Sequence, residues 1–65
     1  MQSTDFFTIT NPQQVLGRSI VVFMRDGSQF GFKVLAVSGD HIIGHDHEGI
    51  NLSIDIHDIC VARWN

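Results

Sequence analysis

The sequence predicts a mostly β domain: a short N-terminal helix followed by five strands curled into a small, strongly bent antiparallel barrel. Three observations predict it. From Ser19 onward the apolar residues alternate with period two. Turn chemistry at Asp26-Gly27, Ser38-Gly39-Asp40 and Asp46-His47-Glu48-Gly49 interrupts the alternation at short intervals. The last two strands are separated by His57-Asp58 alone, too little chain for a relaxed hairpin across a flat sheet, so a sharp corner is expected there.

Each element has its own signal. Residues 1–10 are polar apart from Phe6, Phe7 and Ile9 near the end, and read as a loosely ordered N-terminal arm pinned by its aromatics. Residues 11–65 read as the barrel domain. Asn11 is a good N-cap, Pro12 suits the first helical position and Gly17 a left-handed exit, so a helical turn or two is expected between them. In Ser19-Ile20-Val21-Val22-Phe23-Met24-Arg25 both faces are apolar, which predicts a strand covered on both sides. The second strand runs from Phe30 to Val37 with Phe30, Phe32, Val34 and Ala36 on one face, and Gly31 within it predicts a bend, a bulge or close backbone contact. His41-Ile42-Ile43-Gly44-His45 makes the third strand. The fourth alternates most cleanly, with Ile50, Leu52, Ile54 and Ile56 inward and Asn51, Ser53 and Asp55 outward. Ile59-Cys60-Val61-Ala62-Arg63-Trp64 completes the fifth.

A chain of 65 residues allows one domain. It buries only ~60% of its unfolded surface, so one core is marginal and an added stabiliser is expected. Cys60 is the only cysteine, which excludes a disulfide framework and a Cys-pair zinc site. Self-association is the expected stabiliser, with paired strand edges covering the outer apolar residues Val21, Phe23 and Leu35. No apolar run approaches the ~18 residues of a membrane span, and the opening residues have no signal-peptide character, so a cytoplasmic protein away from membranes is expected.

The formal charge is −3, with Arg18, Arg25, Lys33 and Arg63 scattered along the chain. General DNA binding, which rests on clustered bases, is disfavoured, whereas a local RNA site repeated by symmetry is compatible. His45-x-His47 with Asp46 invites a metal reading, but the histidines straddle a turn and are read as solvated loop positions, with no metal and no cofactor assigned. Cys60 is read as a buried, inert thiol beside Ile59. Phe6, Phe7, Phe23 and Trp64 are read as core or interface packing before stacking platforms. No acid–base pair or phosphate loop has a pocket to occupy, so no enzyme is expected.

The order of elements resembles the Sm/LSm family, closest to its bacterial Hfq branch, and is compatible with a phage or mobile-element member. The resemblance rests on Leu16-Gly17, on Ile20-x-Val22-x-Met24-x-Asp26-Gly27 with Gly31 and Val34, and on Ile54-Asp55-Ile56-His57-Asp58-Ile59, and covers residues 11–63. Asp55 and Ile56 depart from it, standing where the family carries basic residues. The resemblance implies an SH3-like barrel and a homo-oligomeric ring of about five to seven subunits, joined through Ile54, Ile59, Val61 and Trp64. It also implies single-stranded RNA bound at pore turns formed by Ser38, Gly39, Asp40 and His41 and by Asp55, Ile56, His57 and Asp58, without catalysis. More loosely, the chain resembles the Rho-inhibitor family, which implies an acidic barrel that blocks a protein partner such as a transcription termination factor.

Overall fold

The computed structural model describes residues 5–65. Five strands, β1 (Ser19–Met24), β2 (Gln29–Ser38), β3 (His41–Asp46), β4 (Asn51–Asp55) and β5 (Ile59–Trp64), form one antiparallel sheet in the order β4-β3-β2-β1-β5. Two 3-10 turns complete the chain, Pro12–Val15 before β1 and Ile56–Asp58 between β4 and β5.

The sheet is not closed into a barrel, which corrects the expectation from the sequence. β4 and β5 are its two edges and no ladder joins them. The sheet is nevertheless curled. Five flat strands would place the edges ~19 Å apart, whereas the chain from Asp55 to Ile59 spans at most ~14 Å. Closure fails because the joining segment is tied elsewhere: the Ile56 N–H donates to Asp40 O at 2.9 Å and the Arg25 N–H to Asp58 O at 2.9 Å. On the outer side of β5, Ala62 has its N–H and C=O taken by Phe7.

The N-terminal helix is also corrected to a single 3-10 turn. Asn11 caps it as its residue type requires, accepting from the Gln13 N–H at 3.0 Å, while Gln14 Oε1 accepts from the Asn11 N–H at 2.8 Å and closes a capping box. The turn goes no further because Gly17, at φ 78°, donates its N–H to Val34 O and Arg18 O accepts from the Val34 N–H, drawing the chain onto β2. So short a helix has no stability of its own.

The core is one cluster, with Ile20, Val22, Val15, Val34, Ile42 and Ala62 fully buried and Ile9, Phe32, Ile54, Ile56 and Ile59 around them. Two irregularities set which residues enter it. Val34 faces Gly44 and Ala36 faces Ile43, so Leu35 is an extra residue in β2. Beyond this bulge the alternation inverts: Ala36 turns to solvent and Val37 packs on the core. Phe23 faces Val61 and Met24 faces Ile59, which leaves Cys60 as the extra residue of β5, exposed rather than buried. Ile50, expected inward, precedes β4 and is 54% exposed. The glycine that permits close approach is Gly44, not Gly31. A Cβ on Gly44 would lie 1.8 Å from Lys33 O, whereas one on Gly31 would meet only Asn65 Nδ2 at 3.7 Å. No helix among the described residues is long and apolar enough to cross a membrane.

Candidate functional site

The two turns singled out in the sequence lie side by side. Ser38 and His41 pair across a two-residue loop in which Gly39 adopts φ 57°, a conformation glycine takes at no steric cost. His41 in turn lies opposite Asp55 in the β3–β4 register, and Ile56 bonds through its backbone to Asp40. The second turn is fixed from within by Asp55, whose Oδ1 accepts from the His57 N–H at 2.9 Å and lies 2.9 Å from His57 Nδ1. His57 Nδ1 is also 4.0 Å from Asp40 Oδ2. Asp40, His41, Asp55 and His57 thus form one exposed cluster. Within it the His57 N–H holds the Asp55 carboxyl below its usual range, helped by the His57 ring and by the charges of His57 and His41 when protonated.

Arg25, which the sequence reading passed over, braces the far side of the second turn. Its Nε donates to His57 O at 2.7 Å, and its backbone N–H reaches Asp58 O. The one available signal was local: Arg25 is the base that leads into the Asp26-Gly27 turn, where the chain reverses. A surface depression of about 270 Å³, lined by Met24, Arg25, Asp26 and Asp58, opens beside it. Asp26 is itself a turn-former, accepting from the Ser28 hydroxyl at 2.6 Å and the Ser28 N–H at 2.9 Å, bonds that lower its pKa.

The remaining expected site residues divide by burial. Ile56 is in the core at 6% exposure, so its side chain is not offered to a ligand; the turn presents His57 and Asp58 instead. Of the residues assigned to a subunit interface, Ile54 and Ile59 are buried in the chain's own core, at 7% and 3% exposure. Val61 is half-buried. Trp64 is occupied within the chain: Phe7 stacks on its ring at 4.6 Å between centroids, and the Arg18 guanidinium carbon sits 4.4 Å from the ring centroid.

The other histidines stand apart from this cluster. His45 is half-buried on β3 with Nδ1 3.1 Å from Asp46 O, and His47 is exposed beside Glu48 at 3.9 Å. Asp46 Oδ1 accepts from the Glu48 and Ile50 N–H groups, so that carboxylate is spent on the turn. Among the described residues no group of three or more His, Cys, Asp or Glu side chains is arranged to hold a metal ion.

Chemically, the cluster offers carboxylate acceptors and two imidazole rings on a rigid backbone frame. Carboxylates accept hydrogen bonds from amino and imino N–H groups, and imidazoles stack on or bond to planar rings. Three carboxylates in the two turns, Asp40, Asp55 and Asp58, repel an approaching phosphate. The arrangement therefore favours the face and edge of a planar heterocycle over an anionic backbone. No family model, curated protein or solved structure matches this chain.

Proposed function

We propose that this protein is a non-catalytic, cytoplasmic, self-assembling module that binds single-stranded RNA through its nucleobases at the Asp40–His41 and Asp55–Asp58 turns. One observation carries the reading: two turns distant in sequence are locked together, through Ile56 N–H to Asp40 O, into one exposed cluster of imidazoles and carboxylates. Single-stranded RNA presents unstacked bases with free edges, the ligand such a surface fits. The resemblance of residues 11–63 to the Sm/LSm family supports the same assignment, with a homo-oligomeric assembly repeating the site. In a chain of net charge −3, repetition compensates for weak single contacts.

Sedimentation of the full chain at neutral pH, followed by titration of labelled oligo-U and oligo-A at low and moderate salt, tests this proposal. We expect a mass several times the 7.3 kDa chain and a shallow salt dependence, because few phosphates are neutralised. His57→Ala should weaken binding about tenfold, the loss of one base-stacking contact, while His47→Ala, outside the cluster, leaves it unchanged. No binding of either oligomer at low salt, or equal affinity for His57→Ala and wild type, refutes the RNA site. The acidic charge favours a second reading, a surface that binds a basic protein partner such as a termination factor; a chain that stays monomeric and silent toward RNA would favour it.

A further inference from the structure

An open sheet has two edges, and in this protein they are treated differently. Along β5, Phe7 donates its N–H to Ala62 O at 2.8 Å and accepts from the Ala62 N–H at 2.9 Å, a reciprocal antiparallel bridge on the outer side of the strand. Side chains reinforce it: Phe7 stacks on Trp64, Phe6 meets Phe23 edge-on at 5.3 Å, and Ile9 is buried in the core at 6% exposure. Along β4 no such cover exists among the described residues. The bonds Asp46 N–H to Ile50 O and Ile56 N–H to Asp40 O bracket the β3–β4 ladder. By antiparallel alternation Leu52 and Ile54 therefore bond inward to β3, while Asn51, Ser53 and Asp55 point their backbone groups outward.

We propose that residues 6–9 are a displaceable cap on a strand-binding surface, and that the competing occupant is the uncovered β4 edge of a second copy of this chain. The inference rests on the assembly reading above and adds its control. An uncovered edge is a template for pairing, and β4 is the extended strand whose outer edge has no partner among the described residues. To reach β5 it must take the N–H and C=O of Ala62 from Phe7, so head-to-tail assembly and the docked arm exclude each other at that residue. Pairing of β4 with β4 in an isologous dimer would leave Phe7 in place. Trp64, the only tryptophan, lies under Phe7 and reports the difference.

The experiment follows mass by sedimentation and Trp64 emission by fluorescence in the full chain as protein concentration rises, with circular dichroism verifying the fold. For wild type we expect the emission to shift in step with the mass. Phe7→Pro, which removes the N–H and the ring, should assemble at about tenfold lower concentration, the size expected from losing one hydrogen bond and the stacking on Trp64. Phe7→Ala keeps the N–H, loses the stacking on Trp64 and should fall between; it decides the matter if Phe7→Pro fails to fold. Assembly of wild type with unchanged Trp64 emission overturns the cap alone, as does a folded Phe7 variant that assembles no more readily than wild type. Monomers throughout overturn the assembly reading and the cap together.

Discussion

Gly44→Ala tests the close approach of β2 and β3 most directly. An added Cβ at this position would sit 1.8 Å from Lys33 O, 2.9 Å from Lys33 C and 3.2 Å from Val34 Cα, all of them backbone atoms of a paired strand. No rotamer change relieves the overlap, so β2 must retreat by more than an ångström. The retreat weakens ladder bonds around the Val34–Gly44 pair, each worth about 1 kcal/mol net, and adds overpacking strain of about 1–3 kcal/mol. A loss of about 3 kcal/mol is a large share of the ~3–10 kcal/mol available to a domain of this size. It corresponds to a fall in Tm of about 12–24 °C. Thermal and urea unfolding followed by circular dichroism measure it. Gly31→Ala is the matched control: its Cβ meets one amide nitrogen at ordinary contact distance, so its Tm should stay level or rise. A Gly44→Ala protein that melts within about 3 °C of wild type, or a larger loss at Gly31 than at Gly44, refutes the reasoning.

Other expectations follow from the turns. Asn11→Ala removes the cap of the first 3-10 turn and should lower stability by about 1 kcal/mol in urea unfolding, with β1 pairing intact by amide exchange. Asp55 has its folded pKa depressed below 3.8, so its contribution to stability is present above that value and lost as pH falls through the lower folded pKa. Asp55→Asn should flatten the acid limb of the unfolding midpoint measured between about pH 5 and pH 2, and an unchanged acid limb would contradict the assignment. Asp26, depressed mainly by the Ser28 hydroxyl and its N–H, titrates in the same window; Asp26→Asn should therefore remove a separate part of the limb.

Local chemistry was legible in the sequence where residue type alone decides geometry. Asn11, Asp26-Gly27, Gly39 and Gly49 stop and turn the chain where their properties require, and the five strands lie between them. What depends on distant partners was not legible. Closure of the sheet turns on whether β4 meets β5, and nothing in either strand announces that Phe7 will take Ala62. The bulges at Leu35 and Cys60 shift the phase of the pattern without altering composition, which is why Ala36 and Cys60 were assigned to the wrong side. Gly31 drew attention because it interrupts a long apolar strand, whereas Gly44 matters because of what lies across the ladder. The juxtaposition of the two turns depends on the β3–β4 register and the brace from Arg25 on where His57 and Asp58 come to lie, neither of which a local motif announces.

The unpaired Leu35 has a consequence beyond the core. Every residue between it and the Gly39 loop is one step out of phase with the start of β2. Removing that residue would keep every existing pair in register, because Val34–Gly44 and Ala36–Ile43 are already consecutive, but would take away the local bend and added twist that a bulge gives its strand. A single supernumerary amino acid in the middle of the longest strand thereby helps to curl the hairpin tip, while the surface that His41 occupies is fixed by its pairing with Asp55.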